Sequence, residues 1–344
     1  MPREINQSRR RLLGSAAMTL AAGRFGRFDV AHAQSGTSTQ AGARGTHTSF
    51  ASLKQINAGA LNVGYAEAGP ANGPAVVLLH GWPYDIHTYV DVAPLLAAKG
   101  YRVIVPHLRG YGSTSFLSAS TVRNGQPSVI ALDVIALMNA LSIDKAVVAG
   151  CDWGARTAAI VAALWPERCQ ALVSVSGYLI GSRESNKKPL PPPAELQWWY
   201  QFYFATERGR AGYETHRHDF ARLIWQIASP KWHFDDATFD RSATSLDNPD
   251  HVSIVIHNYR WRLSLAKGEP RYDDLEQKLF KRPDITVPAI TISSDFDGAA
   301  ADGSAYRGKF SGRYAHKILD GIGQNVPKDP PRSFADSVIE VAGY

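Results

Sequence analysis

Short apolar runs alternate with amphipathic stretches over the first half of the folded part of the chain. Residues 61–65, 75–79, 102–105, 145–149 and 171–175 are brief and apolar, and each reads as a buried strand. Between them, residues 127–141 place Val129, Ile130, Leu132, Ile135, Leu137, Met138 and Leu141 at helical spacing. Residues 88–99 read as a helix closed by Gly100, and residues 154–165 as an Ala-rich helix. Strands alternating with helices imply a mostly parallel sheet covered on both faces, an α/β architecture. From about residue 179 to 279 this rhythm stops. The segment is rich in Trp, Tyr, Arg and Pro, contains K-K-P-L-P-P-P, and reads as a mostly helical insertion. Residues 288–293 resume the sheet, residues 315–319 supply its last strand, and residues 333–341 form a terminal helix. No internal repeat is visible.

The junction between the strand at 145–149 and the helix at 154–165 carries the chemistry. It reads Ala149-Gly150-Cys151-Asp152-Trp153-Gly154-Ala155-Arg156, a G-x-Nu-x-G elbow with aspartate at its tip. Gly150 and Gly154 permit the close backbone approach that projects residue 152 over the sheet edge. A chance Gly-x-x-x-Gly turn would not be bracketed by a strand and a helix and preceded by Val76-Val77-Leu78-Leu79-His80-Gly81-Trp82-Pro83. Cys151 is only a flanking residue. An aspartate at this tip attacks an electrophilic carbon, becoming an ester that water must then open. The substrate expected is therefore a small apolar organic molecule with a strained or departing group on carbon, such as an epoxide or a halide.

On these motifs the chain, from about Ser49 to its C-terminus, resembles the α/β-hydrolase fold, in particular the Asp-nucleophile branch of epoxide hydrolases and haloalkane dehalogenases. The resemblance implies a mostly parallel, doubly wound sheet with an inserted helical cap. The core is then residues 49–178 and 282–344, with the cap at 179–281. It also implies an oxyanion hole made by the backbone N–H groups of Trp82 and Trp153, with His80 a structural hydrogen-bonding residue. In the cap, Trp198-Trp199-Tyr200-Gln201-Phe202-Tyr203-Phe204 and His257-Asn258-Tyr259-Arg260-Trp261 resemble the two tyrosine motifs of epoxide hydrolases. Tyr200 and Tyr259 would then protonate the opening epoxide oxygen, unless they are simply core aromatics of the cap. A dehalogenase instead commonly places an asparagine where this chain has Trp82. The acidic partner falls on Asp297 by the family's spacing, with Asp295 as the fallback. One of these two can merely cap the turn.

One position departs from the family. Where G-x-G-H-x-x-P is expected, the chain reads Gly321-Ile322-Gly323-Gln324-Asn325-Val326-Pro327. Gln324 stands in the place of the base histidine, and an amide has no useful basicity near neutral pH. His316 lies too early to replace it, while His107, where relatives usually carry aspartate, offers a substitute base. The resulting expectation is an epoxide-hydrolase-like enzyme impaired in ester hydrolysis. The alternatives are a haloalkane or haloacid dehalogenase-type enzyme and a non-catalytic hydrolase-fold binding protein. A carboxylesterase is disfavoured because Asp152 replaces its serine. Neither cofactor nor metal is called for.

Composition and charge limit the remaining roles. The 344 residues, 44% hydrophobic and 20% charged, suffice for a large core. The formal net charge of +6 owes much to residues 1–33, where six arginines face two acids, leaving +2 and no electrostatic basis for nucleic-acid binding. In that leader, Ser8-Arg9-Arg10-Arg11-Leu12-Leu13-Gly14, an apolar stretch and Ala31-His32-Ala33 resemble a twin-arginine export signal with its cleavage site, implying a periplasmic protein. Residues 34–48 then read as a flexible Gly/Ser/Thr-rich linker, and no stable membrane anchor is expected after signal removal. Cys151 and Cys169 are read as unpaired. Sequence offers no reading of oligomeric state.

Overall fold

The computed structural model describes residues 49–181 and 186–344; the expected export signal and linker lie outside the described residues. The strands are β1 (Lys54–Ala58), β2 (Leu61–Ala68), β3 (Ala75–Leu79), β4 (Arg102–Pro106), β5 (Ser115–Phe116), β6 (Ala146–Gly150), β7 (Cys169–Val175), β8 (Ala289–Ser294) and β9 (Tyr314–Leu319). They form one sheet in the order β1-β2-β4-β3-β6-β7-β8-β9, with β5 pairing β2. The pairs from β4-β3 onward are parallel, and those involving β2 are antiparallel. The alternation of strand side chains divides the core into two layers. Val77, Leu79, Val148 and Leu172 face helices α2 (Pro127–Ala140) and α3 (Trp153–Leu164). Val76, Leu78, Val147 and Val173 face α1 (Val92–Ala97) and the C-terminal helix (Pro331–Ala342), through Phe334, Val338 and Val341.

Two readings are corrected. The single helix expected at residues 88–99 is instead a 3-10 turn, Ile86–Tyr89, followed by the shorter α1. Pro94 has no N–H to donate back to Val90, so an α-helical ladder cannot run unbroken through it. The edge strand β1 was not expected, because only Ile56 and Ala58 of its five residues are apolar and the other three are exposed.

Between β7 and β8 the described chain is helical: α4 (Pro192–Gln197), α5 (Trp199–Phe204), α6 (Glu207–Ala228), α7 (Asp236–Ala243), α8 (His251–Arg262) and α9 (Asp273–Phe280); the C-terminal helix is α10. No helix of the described residues is long and apolar enough to cross a membrane.

The parallel pairing positions the site. Leu79 of β3 lies opposite Gly150 of β6, so the residues that follow each strand emerge side by side at their carboxyl ends. There the chain passes very close to itself. A Cβ on Gly154 would lie 1.8 Å from the Leu79 carbonyl oxygen, and one on Gly150 would lie 2.2 Å from the Gly154 carbonyl carbon. Both glycines are required for contact between backbones, which no rotamer change can relieve. Gly154→Ala is therefore expected to cost stability at or beyond the upper end of the ~1–3 kcal/mol typical of overpacking. Gly308→Ala, whose Cβ would meet nothing within 4 Å, should stay within about 0.5 kcal/mol of the parent. Urea denaturation of the two variants checks this, and equal midpoints would contradict it.

Candidate active site

Asp152 joins β6 to α3 with φ 54° and ψ −119°, a conformation that costs a non-glycine residue of order 1–3 kcal/mol and persists only where its surroundings enforce it. The enforcement comes from the glycine contacts just described and from the neighbouring strand. The Trp82 backbone N–H donates to Asp152 Oδ1 at 2.9 Å, and the Trp153 backbone N–H also hydrogen-bonds the carboxylate. A Cβ on Gly81 would come within 2.4 Å of Asp152 Cβ, so Gly81 too is needed for the loop to reach the carboxylate. Burial pushes the Asp152 carboxyl up from the ordinary carboxylate range, while the two N–H donors, Arg156 and Arg262 pull it back down.

His80 is part of the loop's frame. Its Nε2 accepts the Leu108 N–H at 3.1 Å, so the proton sits on Nδ1, 3.2 Å from the Gly81 carbonyl. Burial lowers its pKa to about 4, keeping the ring neutral. His107 is buried beside His80, with ring centroids 6.5 Å apart, and burial lowers its pKa also to about 4. Its ring packs against Gly112 and is not part of the cavity wall over Asp152.

The cap lowers a cluster of aromatic rings onto this loop. The Trp82 ring lies 4.8 Å from Tyr200 and 5.4 Å from Tyr259, and those two tyrosines are 5.5 Å apart, centroid to centroid. Tyr200 and Tyr259 are both buried, and Trp153 Nε1 donates to the Tyr259 hydroxyl at 3.3 Å. Burial raises both phenols well above their ordinary range, so each hydroxyl keeps its proton. A chain of hydrogen bonds ties cap to core: His251 Nδ1 lies 2.9 Å from the Gly110 carbonyl and must donate to it. Its Nε2 therefore accepts from the Tyr213 hydroxyl at 2.8 Å, leaving that oxygen to accept Trp82 Nε1–H at 2.8 Å.

On the other side stands Gln324. Its backbone N–H donates to the Ala228 carbonyl, its carbonyl accepts from Cys151 Sγ at 3.2 Å, and its Nε2 lies 3.5 Å from Asp152 Oδ2. The amide oxygen is buried with no hydrogen-bond partner among the described residues. Asp297 turns inward, where its Oδ2 accepts the Ser294 N–H at 2.9 Å and burial raises its pKa. It makes no hydrogen bond to Gln324 among the described residues. Asp295 sits at the surface, accepting from Lys231 Nζ at 2.8 Å and from the Gly321 N–H at 2.9 Å, which is turn-capping geometry. Cys151 and Cys169 are free and buried, and burial raises both thiols, so neither is a ready thiolate.

Asp152, Tyr200, Tyr259 and Gln324 thus line one cavity of about 270 Å³, and Arg156, Arg262 and Ser176 join them there. Sequence reasoning missed those last three. Arg156 did leave a signal, a lone arginine in an Ala-rich helix one turn past the elbow. No group of His, Cys, Asp and Glu among the described residues has metal-site geometry.

Residues 74–231 match the model of the alpha/beta hydrolase fold family. A crystal structure from Klebsiella pneumoniae, of a protein provisionally named an epoxide hydrolase, is 58% identical and covers 86% of this chain and 98% of its own, with a TM-score of 0.84. The chain belongs to the alpha/beta hydrolase fold family. Epoxide hydrolase B of Mycobacterium tuberculosis is 34% identical over 149 residues, which are 40% of this chain and 41% of that protein. An epoxide hydrolase of Caballeronia sordidicola is 36% identical over 114 residues, 34% of its length. The aligned stretches thus span well under two thirds of these curated relatives.

The site yields a titration prediction. Because burial dominates at Asp152, its carboxyl should titrate above the ordinary value of about 3.9. Arg156→Met should move it further up, since a cation favouring the charged form is lost. Carboxyl carbon NMR, read as the difference between the parent and Asp152→Asn, measures both. A titration at or below about 3.9 would contradict the account.

Proposed function

We propose that the protein opens small epoxides through a covalent ester on Asp152. The supporting observation is the convergence of a strained carboxylate, a backbone N–H held on one of its oxygens, and two protonated tyrosines in one cavity. The two carboxylate oxygens are not equivalent. Oδ1 accepts the Trp82 N–H, so it becomes the carbonyl oxygen of the ester, and Oδ2 is the attacking atom. As the Oδ2–carbon bond forms, the ring carbon–oxygen bond breaks. The departing oxygen takes a proton from the hydroxyl of Tyr200 or Tyr259, worth roughly 10²- to 10⁴-fold in rate.

The second half of the reaction is water attack on the ester carbonyl, which places negative charge on Oδ1. The Trp82 N–H already donates to that oxygen and the Trp153 N–H supports the same carboxyl group, and an oxyanion donor of this kind is worth about 3–4 kcal/mol in comparable sites. What is lacking is a base. Gln324 can orient a water through its unpartnered amide oxygen but cannot remove its proton. His107, outside the cavity wall, is not the substitute in this reading. The ester therefore accumulates, and ring opening outruns release.

A halide-displacing reading is less well supported. It would leave Tyr200 and Tyr259 without a chemical role, and the halide would lose the side-chain amide for which Trp82 is substituted.

The test is the stoichiometry of epoxide consumption. About one equivalent per chain should disappear in a burst, followed by slow diol release. Gln324→His should raise the slow phase by roughly 10²-fold or more, with a rate that increases as pH rises through the imidazole pKa, because only the neutral ring accepts the water proton. Tyr200→Phe/Tyr259→Phe should slow the burst, whereas His107→Gln should change neither phase. Rapid steady-state diol formation by the parent chain would overturn the impaired second step. A burst unchanged by loss of both tyrosines would overturn their role as acids.

A further inference from the structure

A neutral epoxide explains the carboxylate and the tyrosines but not the two arginines beside them. Arg156 and Arg262 line the cavity with Asp152, and neither makes an ion pair within 4.0 Å among the described residues. Arg156 Nη1 donates to the Leu179 carbonyl at 2.7 Å. Arg262 Nε is buried with no hydrogen-bond partner among the described residues, its guanidinium 5.5 Å from the centre of the Tyr259 ring. Arg241 Nε is likewise unpartnered, and Arg168 and Arg307 hydrogen-bond only backbone carbonyls, but several other arginines of the described residues are matched to acids. Buried Arg109 grips Asp133 through both Nε and Nη2, and Arg102, Arg123, Arg217, Arg222 and Arg260 each hold a carboxylate. Burial and then the charge of Arg262 lower the Arg156 pKa to about 9, consistent with two like charges facing one space.

The charges lining the cavity do not cancel. Lys188 and Glu195 offset one another, and Glu195 is also engaged by the Leu190 N–H at 2.7 Å. Among the described residues of this lining, that leaves two guanidinium groups against the single carboxylate of Asp152; both arginines also border a smaller cavity with the buried Glu276. On the Asp152 side the cations outnumber the acids, and a guanidinium recognises a carboxylate in particular because its N–H fork matches the two oxygens. Next to this cavity lies an apolar groove of about 610 Å³, walled by Leu196, Trp199, Leu223, Ile227 and Ile322. Tyr200, Phe296 and Gln324 line both spaces, which therefore adjoin.

We propose that the site takes an amphipathic carboxylate: an electrophile whose carboxylate is held by Arg156 and Arg262, whose reacting carbon lies at Asp152, and whose apolar chain extends into the groove. Ring opening at Asp152 is taken from the function proposed above, but the anion subsite stands on its own contacts. This substrate is more polar than the purely apolar molecule expected from sequence.

Binding can be separated from chemistry in the full-length Asp152→Asn protein, which cannot form the ester. Calorimetry should show hexanoate binding at least about tenfold more tightly than hexanol. Arg156→Met and Arg262→Met should each weaken hexanoate roughly ten- to hundredfold and leave hexanol unchanged. Arg262→Lys, which keeps the charge but not the fork, should fall between. Circular dichroism melts confirm that each variant is folded. In the unmodified chain, the terminal-carboxylate analogue of hexene oxide should be consumed faster than hexene oxide itself. Equal affinity for hexanoate and hexanol, or hexanoate binding insensitive to both arginines, overturns the anion subsite even if neutral epoxides react at Asp152. Arginine-dependent hexanoate binding without reaction of either epoxide supports the subsite and overturns ring opening instead.

Discussion

The structure depends on a near-collision of backbone at the elbow. The Leu79 carbonyl, the end of β6 and the first turn of α3 approach so closely that Gly150 and Gly154 have no room for a β-carbon. That contact forces Asp152 into its positive-φ conformation and sets its carboxylate against the Trp82 N–H. The strain is therefore held by the sheet, whose central parallel strands form the most deeply buried part of the molecule. A carboxylate fixed in this way has one oxygen committed to the Trp82 N–H and the other 3.5 Å from Gln324 Nε2 before any ligand arrives. Such preorganisation lets the site act without rearranging its own dipoles.

The cap adds what the sheet cannot. Trp82 belongs to the core, yet its ring packs against Tyr200, Tyr213 and Tyr259 of the cap, and its indole N–H ends a hydrogen-bond chain that starts at Gly110 and passes through His251. The same residue thus offers a backbone donor to Asp152 and a side-chain anchor to the cap. Tyr200 and Tyr259 give the cavity aromatic walls, and Arg156 and Arg262 add strongly polar groups to the same lining. A cavity so lined discriminates by the position of charge within a substrate as well as by its size.

Much of this was legible in the sequence because it is local. The strands β3, β4, β6 and β7 are short, mostly apolar runs, and the elbow announces Asp152 by its glycines. Trp82, Tyr200, Tyr259, Asp297 and Gln324 each sit in a short motif with recognisable neighbours. The strand β1 was missed because an edge strand with only two apolar residues gives too short a pattern, and the long helix expected at residues 88–99 ignored the missing N–H of Pro94. The arginine pair was invisible for a different reason. Arg156 and Arg262 lie on α3 and α8, more than a hundred positions apart, and only the docking of cap on core brings them to one cavity. Sequence also cannot distinguish an arginine that has a carboxylate partner from one that lacks it, which is the property on which the anion subsite rests.

The central claim is that Asp152 itself becomes bonded to substrate carbon, and the mass of the protein measures this directly. After brief exposure to an epoxide and acid quenching, the intact chain should gain the mass of one epoxide molecule. Fragmentation of the peptide spanning Gly150 to Arg156 should place that mass on Asp152, and the Asp152→Asn chain should gain none. An unmodified mass while epoxide is being consumed, or an adduct carried by Cys151, would contradict the account.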